Sequence, residues 1–556
     1  MHTKPFYLLL LIVSLGILSS CHSTDADNIA ILYKNGYIWT GDSAQPNATI
    51  MLTKGGKIEY VGYDMKELKY DSVVDLSGVL VVPGFMDNHS HFLSGGYQLE
   101  SVNLREAKTP NDFIRIMKEY LAGVKDNRWI QGGDWDHEAW GGRLPSKEWI
   151  DSISPNNPIF VTRYDGHMAL ANSVALKMAG IDKNTPVPPG GEIEKNPRTG
   201  ELTGILRDDA MDLVYAKIPD PSEAELDDMF QRAQAHAIAN GLTEVHDMGS
   251  YGGWLDMETY QRAEKNGKLN MRIYSVVALR TWDKLADYIK KNGRGDDMLR
   301  WGGLKGFVDG SLGSTTALFY KPYLDKRNSN GIWVTDSTLL RNQILSADSA
   351  GLQVMVHAIG DKAIDYLLNV YQDAERIAGR KDQRFRVEHA QHLSDSAFAK
   401  FAALNVIASV QPYHAIDDGR WAYKRLDKDR LERTYAFNSF LKAGVRMTFG
   451  SDWTVAPLSP ILGIYAAVTR ETLDGKNPGG WFPEQKISVE DALRAYTVNN
   501  AYAGFQENKT GMLKAGLYAD FVILDKNLIT IPPDEIKDVK VVQTTINGKT
   551  VYRKEK

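Results

Sequence analysis

The chain has 556 residues, a net charge of −5, 43% apolar and 24% charged residues. That composition fits a globular chain with a sizeable core, long enough for a large catalytic unit plus a smaller one. It lacks the basic footprint of a nucleic-acid binder, and with Cys21 as its single cysteine it can form no intrachain disulfide and no cysteine-built metal cluster.

Lys4 precedes an apolar run over residues 6–18, which Ser19-Ser20-Cys21 ends. The run is shorter than the roughly 20 residues a membrane-spanning helix needs and has the layout of a secretory signal. It resembles a bacterial lipoprotein signal over residues 1–20, with Leu18-Ser19-Ser20-Cys21 as the processing box. The resemblance implies lipid attachment at Cys21 and a place on a membrane of the bacterial cell envelope; plain secretion with an incidental cysteine, or a short anchor helix, are the other readings.

Residues 28–83 read as short strands, with Asn35-Gly36 and Gly55-Gly56 as hairpin-type turn signals. Residues 506–556 read the same way, with a turn at Asn547-Gly548. Two β-rich ends predict one small β-sandwich built from both termini. Between them, over residues 84–505, apolar strands alternate with helical stretches, which predicts an α/β class and a (β/α)8 barrel. The strand candidates are VVPGFMDNHSH, GLTEVHD, MRIYSVVA, GLKGFVDG, LQVMVHAIGD, RFRVEHAQH, NVIASVQPYH and GVRMTFGSDW. Residues 95–220, between the first and second, are too long for a bare loop and predict an inserted subdomain.

Barrel enzymes carry their reactive residues at the C-terminal ends of the strands. Here those ends hold His89 and His91, His246, Lys305 with Asp309, His357, His389 with His392, His414, and Asp452. Imidazoles and carboxylates are ligands for zinc and similar divalent ions. His89 and His91 alternate on one strand, so both rings can face the same side. Taken singly, His357 and His389 fit hydrogen-bonded structural roles and Asp452 fits a helix cap; together they point to a metal centre. Lys305 has two readings: an amine paired with a carboxylate such as Asp309, or a buried amine that captures CO2 and becomes an anionic, bidentate carbamate.

The ordered set PGFMDNHSH, GLKGFVDGSLGSTTA, VMVHAIGDKAID, RVEHAQH and FGSDW resembles the metal-dependent amidohydrolase superfamily, in the family 3 branch that includes N-substituted formamide deformylase. GGDWDHEAWGGRLPSKEWID and RYDGHMALANSVAL resemble the insertion of this branch. The resemblance implies that His89, His91 and Asp452 bind a buried ion, that His357 and His389 bind a second, and that Lys305, carboxylated, bridges them. The expected cofactor is one or two Zn2+ per chain. Asp452 becomes the general base for attack of metal-activated hydroxide on a C–N bond of an amide, formamide or cyclic amide. His167 and Trp135 become substrate-pocket residues, in an aromatic-lined pocket with Trp140 and Tyr164, although packing of the insertion explains those aromatics equally well. His246 is read as structural. The implied partner is a small-molecule substrate, with the oligomeric state open and a homodimer as one option. The rival reading is a lipid-anchored small-molecule binding protein on the same fold.

Overall fold

The computed structural model describes residues 29–379 and 382–555. Cys21 and the segment before it lie outside these residues. Eight strands form the centre: β1 Phe85–Ser90, β2 Leu242–Asp247, β3 Arg272–Ala278, β4 Leu299–Phe307, β5 Gln353–Ala358, β6 Arg386–His389, β7 Ile407–Val410 and β8 Met447–Phe449. Each pairs in parallel with the next. β1 and β2 are buried along their whole length, because helices cover a parallel sheet on its outer face and side chains fill its interior. The α/β barrel expected from the alternation is therefore present.

The intervening helices start where the sequence supplies caps. Ser222 and Glu225 form a reciprocal capping box before helix Glu223–Ala239, and the Asp336 carboxylate accepts the Leu339 N–H at the start of Ser337–Ser349.

The barrel closes through a short seam between β1 and the residues after β8. Ser90 and Trp453 form a parallel bridge. The Asp452 N–H donates to His89 O at 2.7 Å, and the His91 N–H donates to Trp453 O at 2.6 Å. Gly450 makes this approach possible: a Cβ there would lie 2.7 Å from the His89 nitrogen. The seam sets Asp452 beside His89 and His91.

Between β1 and β2 the chain builds a six-stranded mixed sheet from strands between Val102 and Asp208. It has apolar clusters of its own, one around Phe113, Ile150 and Val161. At the other end, Tyr37–Trp39, Asn47–Ala48 and Leu80–Pro83 share one six-stranded sheet with Phe521–Leu524, Val541–Ile546 and Lys549–Arg553. A four-stranded sheet between Ile31 and Asp75 accompanies it. Gly55-Gly56 and Asn547-Gly548 each turn an antiparallel hairpin with both residues at positive φ. Asn35-Gly36 does not: Ile31–Lys34 and Tyr37–Trp39 belong to different sheets, so this turn carries the chain from one sheet to the other. Among the described residues, no helix is long and apolar enough to cross a membrane.

Candidate active site

The C-terminal ends of β1, β4, β5 and β6 converge with the segment after β8. His89 presents Nδ1 to Glu388 Oε2 at 2.5 Å. Its Nε2 faces Lys305 Nζ at 3.0 Å and Asp452 Oδ1 at 3.4 Å. His91 bonds Gly249 O through Nδ1 at 2.9 Å and sets Nε2 3.4 Å from the same Asp452 oxygen. An imidazole that gives its Nδ1 proton to a carbonyl or carboxylate keeps a lone pair on Nε2. His89 in β1 and His91 just past its end thus both aim Nε2 at Asp452, on the same side as the alternation in the sequence predicted.

His389 lies opposite, its Nδ1 2.9 Å from Gln411 Oε1 and 3.9 Å from Asp452 Oδ2. One ligand atom each from His89, His389 and Asp452 lies within 4.8 Å of the others, and all three residues are buried. His357 stands next to this group: its ring centroid is 4.4 Å from that of His389, and its Nε2 bonds Gly310 O at 3.1 Å. His389 and Asp452 both adopt positive φ, 73° and 57°. Non-glycine residues hold this conformation at a cost of about 1–3 kcal/mol, typically where function demands a particular side-chain direction.

The electrostatics suit a cation. Burial pulls His89 down to about 4 and holds His357 and His389 well below the usual imidazole range, so all three offer lone pairs at neutral pH. Burial by itself raises the Asp452 carboxyl, but His89, His91 and His389 outweigh it and keep the group ionised. Lys305 is 4% exposed, and burial lowers its amine to about 8. Among the described residues no carboxylate lies within ion-pairing distance of its Nζ; the ring of His89 is its hydrogen-bond partner. Asp309 does not pair with Lys305. It accepts the backbone N–H groups of Leu318, Ile359 and Gly360. Neutral imidazoles and an ionised carboxylate, buried together, form a donor set that fits a divalent metal.

A small cleft opens beside this group, lined by His167, His357, His389, His414 and Asp452 among others. Trp135 is not on it. That side chain is fully buried in the insertion, with its indole N–H on Val161 O at 2.9 Å. Trp140 packs against Phe113 and Trp149. Tyr164 and His167 do reach the cleft, so its wall is mainly polar rather than aromatic. His246 sits on the barrel floor between Glu244 Oε1 at 3.3 Å and Arg386 Nη1 at 3.1 Å. His392 is occupied by Thr434.

The structure adds residues that the sequence reading passed over. Glu388 holds His89, Gln411 holds His389, and Asp208 holds His167. Glu388 carried a signal: Arg386 and Glu388 alternate in a buried strand, which places two charges inside the barrel where each needs a partner.

A parallel barrel whose strand ends gather buried histidines and an aspartate defines a metal-dependent hydrolase. The amidohydrolase family model matches residues 72–552, and the chain belongs to that family. It is 41% identical over 539 residues to Protein LONG AFTER FAR-RED 3 of Arabidopsis thaliana, covering 94% of this chain and 91% of that protein. It is 27% identical over 547 residues to N-substituted formamide deformylase of Arthrobacter pascens, covering 94% and 98%. A solved uncharacterized metal-dependent hydrolase from Pyrococcus horikoshii OT3 superposes with a TM-score of 0.73 at 28% identity, covering 91% of this chain and 99% of that one.

Proposed function

We propose that this hydrolase cleaves a C–N bond of a small, uncharged amide or formamide, with Asp452 as general base. The observation that carries the reading is the position of Asp452, whose two oxygens face three histidines beside the cleft. His89, His91 and Asp452 would hold one divalent ion, and His357 and His389 would hold a second. Lys305, as a carbamate formed from its amine and CO2 with release of a proton, would offer carboxylate oxygens to both; its burial and its place beside His89 Nε2 support this. A bound divalent ion lowers the pKa of water and polarises a substrate carbonyl. Asp452 takes the proton from the attacking oxygen and hands it to the departing nitrogen.

The charges around the cleft favour an uncharged substrate. Arg163 faces Asp165 at 2.7 Å, Arg105 faces Asp417 at 2.8 Å, and Arg420 faces Asp136 at 3.0 Å. Each of these guanidinium charges is already balanced by a carboxylate, so none adds a net positive charge to attract a substrate carboxylate.

Metal content tests the reading directly. Protein lacking residues 1–21, purified without chelator and supplied with zinc and bicarbonate, is expected to carry two ions per chain and to hydrolyse members of a panel of neutral amides and formamides. One ion would make Lys305 an ordinary lysine. No ion would leave a binding protein in place of an enzyme.

The N-terminal segment supports a second proposal, lipid anchoring through Cys21 in the bacterial cell envelope. Fractionation after native expression is expected to place the wild type with membranes and Cys21→Ser in the soluble fraction. Wild type in the soluble fraction would refute the anchor.

A further inference from the structure

The outer face of the four-stranded sheet of the β-sandwich carries a cluster of exposed apolar side chains. The strands of that sheet lie in the order Lys57–Gly62, Ile50–Lys54, Ile31–Lys34, Ser72–Asp75. Alternation divides their side chains between two faces. Tyr33 and Met51 join Phe521 in the cluster between the two sheets. Ala30, Leu32, Ile50 and Leu52 form a separate outer cluster, with Tyr60 and Leu68 packed against it. Val73 stands beside Leu32 in register and extends the outer face along an edge strand. Residues 63–71 cross this face, and Asp71 fastens their end: its carboxylate accepts the Ala30 N–H at 2.8 Å, and its own N–H donates to Ala30 O at 2.8 Å. Ile29 and Tyr70 adjoin that contact. Tyr63, Met65 and Tyr70 leave 62%, 44% and 45% of their surface exposed. Five of the fifteen large apolar side chains exposed among the described residues are Ile29, Tyr63, Met65, Tyr70 and Val73. Scattered singly such residues mean little, but gathered on one small sheet they mark an interaction surface.

Two observations name the partner. Ile29 follows Cys21 by eight positions, a reach of at most about 29 Å, whereas a chain of this size is roughly 60 Å across. A lipid on Cys21 therefore holds this face, and not the far side of the molecule, at the bilayer. The side chains also suit that place. Tyrosine settles at the headgroup level with its ring in the apolar layer and its hydroxyl in water, and lysine covers apolar surface with its stem while the amine stays wet. The exposed Lys66 and Lys69 are matched by Asp64 and Glu67, so the face has no positive field for anionic lipid. We propose that the outer face of this sheet, centred on Tyr63, Met65 and Tyr70, rests on the headgroups of a zwitterionic bilayer and fixes the orientation of the anchored enzyme. The proposal rests on the lipid-anchor reading and deepens it, adding the second membrane contact that stable anchoring requires.

The test supplies the tether chemically. The chain lacking residues 1–20 has one thiol, Cys21, which is coupled to a maleimide lipid in phosphatidylcholine vesicles. Amide hydrogen exchange over residues 63–73 is expected to slow roughly fivefold or more relative to the untethered chain, with residues 173–190 of the insertion unchanged. In the triple variant Tyr63→Ser, Met65→Ser, Tyr70→Ser, whose altered side chains are all exposed, the slowing is expected to fall below about twofold. Equal exchange in the two segments, or full protection in the variant, overturns the proposal. Protection that grows with protein concentration in the absence of vesicles assigns the face to a second copy of the chain and also overturns it. Native fractionation decides the anchor separately: an unanchored wild type with vesicle protection intact refutes the anchor and leaves the face, whereas an anchored wild type without protection refutes the face.

Discussion

Asp452→Asn is expected to lower hydrolysis by roughly 1,000-fold while leaving the fold intact, in the range a positioned general base contributes. The backbone argument favours folding. Asp452 sits at φ 57°, a region asparagine tolerates better than most residues, and its N–H bond to His89 O across the seam does not involve the side chain. The amide keeps the shape of the carboxylate but cannot take a proton. Because Asp452 is also one of the residues that would hold an ion, ion content has to be measured alongside kcat. Wild-type turnover in this variant would remove Asp452 from the base role. Full loss of both ions would assign it to ligation alone.

Glu388→Ala is expected to act on stability and on the metal centre together. Glu388 is fully buried, 2.7 Å from Arg386 Nε and 2.5 Å from His89 Nδ1. Burial alone would raise its carboxyl, but Arg386 and His89 hold it well below the ordinary range. Removing one member of a buried ion pair leaves the other charge without a counter-ion, which costs about 3–5 kcal/mol. Here the stranded group is Arg386, itself fully buried. The same change frees the His89 ring to rotate, and loss of such an orienting acceptor typically weakens metal affinity about 10–100-fold. Denaturation midpoints and ion content measure the two effects. A variant with wild-type values for both would show that the acid does not hold the ring.

The strands were legible because each is a short apolar run, most of them followed by a histidine, lysine or aspartate, and a parallel barrel buries both faces of such runs. The pairing of His89 with His91 followed from alternation alone. The same rule gave no direction for Trp135, because Gly132, Gly133 and Asp134 before it all take positive φ, and alternation holds only along regular strand backbone. It also falls short at β6. Regular backbone would send Glu388 and His389 to opposite faces, yet the turn at His389 brings both into the same site. Asp208 lies 41 positions from His167 in the chain, and no local pattern joins them. Asn35-Gly36 was recognisable as a turn, but a dipeptide cannot say which sheet the next strand will join.

The sheet shared by the two ends of the chain sets a schedule for synthesis. Leu80–Pro83 pairs with Phe521–Leu524, so an edge made early waits for its neighbour while more than 400 intervening residues are translated. At about 5–20 residues per second that delay is roughly 20–90 s. Throughout it the backbone edge of Leu80–Pro83 that later meets Phe521–Leu524 is open to any other extended chain, a standing route to aggregation. The nascent protein therefore needs that edge shielded during translation, and a chain stalled before Phe521 leaves it uncovered.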